Sequence, residues 1–153
     1  SGFGGWAWII FWGNDSNIIF FDSGGSKKTT NNRMELFALI ELIKTVSEME
    51  FNNFHVYIDS QYVLKSIVKD GEGKLYFKNK VEYTGWIKNW KTAKKNPDLW
   101  KMLDKVLIEY FVNHKSISFS WVKGHSGNFG NDLADKYAQE ETFKIKAQNA
   151  QIQ

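Results

Sequence analysis

Four side chains stand where the sequence could do chemistry. Glu35 lies in the stretch TTNNRMEL, Asp59 ends the apolar run FHVYID, and Asp135 lies in GNDLADKYA. His125 sits among glycines in GHSGNFG. Each acid also has a plain structural role open to it. A carboxylate in a first helical turn complements the helix dipole, and an Asp before a Ser can serve a turn or a cap. Together the three would repel one another unless a cation neutralised them. With no cysteine in the chain, the ligands are oxygens, which suit a hard divalent ion such as Mg²⁺. Two such ions about 3.5–4 Å apart can activate water and stabilise a leaving oxygen in phosphodiester hydrolysis. His125, flanked by glycine, is suited to moving a proton in that reaction; a loop histidine without a role is the alternative. His55 and His114 have no such context and are expected to be structural or solvent-facing.

The elements that must carry these groups are read from periodicity. Ser1–Gly5 reads as a turn. Trp6–Trp12 and Asn17–Asp22 read as strands joined at Gly13-Asn14-Asp15-Ser16, a hairpin signature. Ser23–Thr30 reads as a Gly/Ser/Lys loop. Leu36, Phe37, Ile40, Ile43 and Val46 recur at helical spacing, predicting a helix over Arg33–Met49, capped by Asn31 or Asn32, with Glu35 in its first turn. Phe54–Asp59 is a short strand, and Ser60 caps a helix reaching about Lys69. Asp70–Thr84 reads as a loop and Gly85–Lys91 as a short helix. Pro97 opens a longer helix through Tyr110. Ser116–Val122 alternates as a strand, Gly124–Gly130 is a loop, and a last helix runs from Asn131 to about Lys146, followed by a polar, frayed tail over about 147–153. Strands alternating with helices predict an α/β domain, with sites at the carboxyl ends of strands and at helix starts.

Composition narrows the partners. The chain has 153 residues, 42% hydrophobic and 16% aromatic, which excludes a disordered or collagenous chain and suits one domain with a proper core. No apolar run approaches the ~20 residues of a membrane span, and no signal-peptide pattern is visible. Absence of cysteine agrees with a reducing compartment, and the expected setting is the cytoplasm, or the nucleus or an organelle of a eukaryotic cell. Net charge is only +3, but Lys74–Lys105 holds nine lysines against Glu82, Asp98 and Asp104, a local +6, so the remainder is −3. Interleaved with Trp86, Trp90 and Trp100, that segment suits a nucleic-acid backbone. A solvated lysine-rich helix pair with core tryptophans would read the same way.

Four blocks together resemble type 1 ribonuclease H: Thr29–Leu36 (TTNNRMEL), Ile58–Val63 (IDSQYV), Lys95–Trp100 (KNPDLW) and Trp121–Ala138 (WVKGHSGNFGNDLADKYA). They occur in family order and the resemblance covers nearly the whole chain. It implies a mixed five-stranded sheet flanked by helices and an endonuclease that cuts the RNA strand of RNA–DNA hybrids, leaving 3′-hydroxyl and 5′-phosphate ends. Glu35, Asp59 and Asp135 match three of four carboxylates that hold two Mg²⁺ ions, with Mn²⁺ as the alternative ion, and His125 matches the mobile loop histidine. Asp132, also on the last helix, competes for the final acid, but the spacing from Asn131 favours Asp135. Asn31, Asn32 and Gln61 match readers of RNA 2′-hydroxyls. Thr30 and Asn96 match a DNA-phosphate pocket, where Lys28 replaces the Arg of many members. Trp86, Trp90, Lys88 and Lys91 match a basic handle, placed here at about 74–105, that lies against the DNA strand.

The resemblance also implies a first, central strand ending in Asp-Gly before Ser1, supplied by residues further upstream or by a separate segment. Without that strand, buried backbone groups on its neighbours would each cost about 1–3 kcal/mol, and the fourth carboxylate would be missing. The protein is expected to act as a monomer. Two other readings stay open: a hybrid-binding module that does not cut, and a domain excised from a reverse transcriptase.

Overall fold

Apolar residues alternating on two extended stretches and recurring at helical spacing elsewhere build the fold seen in a computed structural model. It describes residues 2–13, 17–51, 54–68, 72–78, 82–84, 91–125 and 127–152. They group into two units, residues 1–38 with 123–153, and residues 39–122.

In the first unit β1 (Gly2–Phe11) and β2 (Ile18–Thr29) pair antiparallel, with Ile10 opposite Phe20, Trp8 opposite Asp22 and Gly5 opposite Gly25. The expected hairpin strands are present, but both are longer. Ser1–Gly5, expected as a turn, is strand from Gly2, and Ser23–Thr30, expected as a loop, is strand through Thr29. The glycines there serve close packing. A Cβ on Gly5 would strike the Ala138 carbonyl, one on Gly24 the Trp6 ring, and one on Gly25 Ile145. One face of the ribbon lies on α4 (Phe129–Ile152), where Phe21 stacks on Tyr137 at 5.1 Å and the Ser23 hydroxyl donates to Glu141 at 3.0 Å. On the other face Trp6 meets Phe37 edge-on at 5.3 Å.

Phe37 belongs to α1 (Asn31–Ser47), which starts two residues earlier than expected. Its cap is Thr30, whose Oγ1 accepts from the Arg33 N–H at 3.2 Å, rather than Asn31 or Asn32. Both asparagines therefore lie inside the helix, and Glu35 falls in the second turn, not the first. Helix α4 is likewise longer at both ends. Asn128 Oδ1 accepts from the Asn131 N–H at 2.9 Å and caps it, and the stretch expected as a frayed tail is helical through Ile152.

In the second unit the sheet order is β3-β6-β4-β5. Strand β3 (Phe54–Ile58) runs parallel to β6 (Ser116–Trp121). Strand β4 (Glu72–Lys78) runs antiparallel to both β6 and β5 (Glu82–Thr84). The loop expected over Asp70–Thr84 is thus corrected to two strands. Leu75, fully buried, pairs with buried Ile117 and supplies the apolar anchor. Helix α2 (Gln61–Ile67) is capped by Ser60, which accepts from the Val63 N–H at 3.2 Å, and α3 (Pro97–Tyr110) has proline in its first turn as expected. Trp100, Leu103, Leu107, Tyr110 and Phe119 are essentially without solvent contact and form the core. Burial pushes the Tyr110 phenol far above its ordinary pKa, so it remains the neutral donor to the Ser116 carbonyl at 2.7 Å. His114 is buried, with its two ring nitrogens 3.1 and 2.9 Å from the Tyr110 and Met49 carbonyls, the structural one of the two roles expected of it.

The strands expected from the sequence are β1, β2, β3 and β6, an antiparallel pair and a parallel pair; β4 and β5 extend the second sheet. The short helix expected over Gly85–Lys91 lies outside the described residues except at Lys91, which begins a single tight turn. Among the described residues, no helix is long and apolar enough to cross a membrane.

Candidate active site

The first unit gathers three of the chemically capable side chains. One ligand atom from each of His125, Asp132 and Asp135 lies within 4.8 Å of the others. The helix start makes this possible. With Asn128 as cap, Asp132 enters the first turn of α4 and Asp135 follows three residues later, so both project from one side. Their charge also faces the positive end of the helix dipole. His125 reaches them from a loop with left-handed backbone at two places, His125 (φ 56°) and Gly127 (φ 86°). A left-handed conformation is uncommon outside glycine, although histidine tolerates it better than most residues.

Among the described residues, the buried Asp132 Oδ1 has no hydrogen-bond partner. A buried carboxylate oxygen left unsatisfied calls for an unseen donor or cation. Two carboxylates and an imidazole are donors that a hard or borderline divalent ion accepts. The residues present therefore fit a metal ion. The sequence favoured Asp135 over Asp132 as the last acid; the geometry brings the two together. Glu35, half-buried on α1 of the same unit, is not one of the three clustered groups.

Asp59 belongs to the second unit, directly beyond the carboxyl end of β3. Its position is well pinned. The Trp121 indole N–H donates to its carbonyl at 3.2 Å, the Val122 N–H donates to the Ile58 carbonyl at 3.0 Å, and Ser60 caps α2 immediately afterwards. Gln61, exposed, is the first residue of α2. Asn96 precedes α3, half-buried, and Lys91 is exposed.

Of the remaining expected contacts, Lys28, Thr30, Asn31 and Asn32 are exposed in the first unit, at the end of β2 and the start of α1. Thr30 and Asn96, expected to share a phosphate, fall in different units. Trp86, Lys88 and Trp90 lie outside the described residues.

The comparisons agree on one family. The ribonuclease H family model matches residues 1–143. The chain is 37% identical over 144 residues to a protein named Ribonuclease H from Ralstonia nicotianae, covering 91% of this chain and 81% of the relative. Its fold resembles that of the N-terminal RNase H domain of a Mycobacterium tuberculosis protein, with a TM-score of 0.63 at 14% identity over 97% of this chain and 96% of the other. RNase H1 from Halobacterium salinarum gives 0.60 at 20% identity, over 93% and 95%.

Proposed function

The chain belongs to the ribonuclease H family of endoribonucleases, and from that premise we propose that it hydrolyses the RNA strand of RNA–DNA hybrids with two divalent ions, leaving 3′-hydroxyl and 5′-phosphate ends. The observation that carries this reading is the convergence of His125, Asp132 and Asp135 within 4.8 Å, with one Asp132 oxygen unsatisfied. Glu35, Asp59 and Asp135 would hold Mg²⁺, or Mn²⁺ in its place, with Asp132 beside Asp135 as the further candidate ligand. Bound there, the ions would supply activation of water and charge neutralisation at the leaving oxygen.

The chain's own groups have separate tasks. Asp59, fixed between β3 and the cap of α2, aims a carboxylate from a rigid strand end. His125, beside two carboxylates, accepts or returns a proton. Asn31, Asn32 and Gln61 are exposed at helix starts, and their amides both donate and accept, which suits an RNA 2′-hydroxyl. Lys28, Thr30 and Asn96 meet DNA phosphates, while Trp86, Lys88, Trp90 and Lys91 form the handle that follows the DNA strand. The whole acts as one ribonuclease H domain.

The test is an end-labelled RNA–DNA hybrid incubated with Mg²⁺ and protein in which the Asp-bearing strand is supplied ahead of Ser1. Cuts confined to RNA, with 5′-phosphates that a ligase accepts, support the reading. Equal cutting of duplex DNA would sink it. Tight hybrid binding with no turnover would favour the binding-module alternative instead.

A further inference from the structure

In the second unit, one polar cluster joins two elements through a group that none of the roles above uses. Asn96 precedes α3 with a left-handed backbone (φ 56°, ψ 39°) and makes no side-chain bond to the helix it opens. An asparagine at this position ordinarily turns its side-chain oxygen onto the first-turn N–H groups. Here its Nδ2 donates instead to the Tyr62 hydroxyl at 3.0 Å. The indole N–H of Trp100 donates to the same oxygen at 3.3 Å. Trp100 is only 2% exposed, and its ring lies tilted against that of Tyr62 with centroids 5.8 Å apart. A phenol oxygen accepts two hydrogen bonds. Asn96 and Trp100 therefore fill both, and the amide is held by an oxygen that is itself anchored to the core.

The position of Tyr62 gives this bond its significance. Tyr62 follows Gln61 directly on α2, whose start is fixed by the Ser60 cap. The hydroxyl thus ties the start of α3 to the start of α2. A bond needed only to stabilise α3 could be made locally by Asn96 capping its own helix. The cap is given up and an uncommon backbone conformation is adopted, so the direction of the amide is what the arrangement preserves.

We propose that Tyr62 is a positioning residue for hybrid binding. Its hydroxyl fixes the Asn96 amide to meet a phosphate oxygen of the DNA strand, at a set distance from Gln61 on the RNA side. This inference rests on the reading of Asn96 as a phosphate contact. Tyr62 touches neither strand and acts through Asn96.

The experiment measures binding of a hybrid with a fluorescent DNA strand by the full chain, without divalent ion so that nothing is cut. Tyr62→Phe keeps the ring and its stacking on Trp100 and removes only the hydroxyl. It is expected to weaken binding by about 5-fold, the scale of one hydrogen bond. Asn96→Ala should do the same, and the double variant should bind no worse than Asn96→Ala alone, because the two act as one unit. A set of hybrids with single uncharged methylphosphonates along the DNA strand adds a readout that fold stability does not move. Wild type should lose affinity at one position to which Tyr62→Phe is indifferent. If wild type does not bind the hybrid, or Asn96→Ala binds normally, the phosphate reading of Asn96 fails. If Asn96→Ala weakens binding while Tyr62→Phe binds as wild type, or the two losses add in full, the role of Tyr62 is overturned.

Discussion

The two units solve different problems with different materials. The first packs a glycine-bearing ribbon onto α4 and places two carboxylates and an imidazole within 4.8 Å of one another. The second surrounds Trp100, Leu103 and Phe119 with apolar side chains, and spreads its candidate groups, Asp59, Gln61, Lys91 and Asn96, along separate elements rather than in one cluster. Like charges gathered in one place are stable only with a counter-ion, whereas an apolar core needs none. The first unit thus carries the side-chain group that a metal ion would suit, and the second a closely packed apolar core.

The widest test of that contrast is charge removal in the first unit. Asp135→Asn keeps the shape of the side chain and deletes its charge. It should lower the hydrolysis rate about 1000-fold, corresponding to about 4 kcal/mol of transition-state stabilisation. Melting temperature should hold or rise, because one repelling charge is gone; single-turnover cleavage beside a thermal melt checks both. The counterpart in the second unit is Leu103→Ala, which deletes fully buried methyl groups in α3. About 3 kcal/mol of stability should be lost, read by urea denaturation. Gly5→Ala would drive a methyl group into the Ala138 carbonyl and should cost about 2 kcal/mol, with the same readout. The smallest effects belong to the caps. Asn128→Ala and Ser60→Ala should each lose about 1 kcal/mol. Of the two, Asn128→Ala should also weaken metal binding, because it frees the turn that carries Asp132. Equal effects on metal binding would blunt the distinction between the units.

Much of this was legible from residue types at element ends. Asp59 after an apolar run, Pro97 at a helix start, and alternation over Ser116–Val122 each declare their element locally. Other features depend on tertiary contact. Gly24 and Gly25 looked like loop residues because a glycine required by a facing Trp6 ring or Ile145 reads in sequence like one required by a turn. Strand β4 was hidden because the residue facing its buried Leu75, Ile117 on β6, is distant in sequence. The choice between Asp132 and Asp135 depended on where α4 begins. An Asn128 cap sets the start at Phe129 and brings both acids near His125. Thr30 took the capping role from Asn31 and Asn32, which leaves the two asparagines exposed on α1.

The claim that the first unit is a metal centre is tested most directly by titrating Mn²⁺ into wild type, Asp132→Asn and Asp135→Asn, with free ion followed by electron paramagnetic resonance. Wild type should bind, and each variant should bind at least about 10-fold more weakly while keeping its circular dichroism. Identical binding curves for all three proteins would contradict the account.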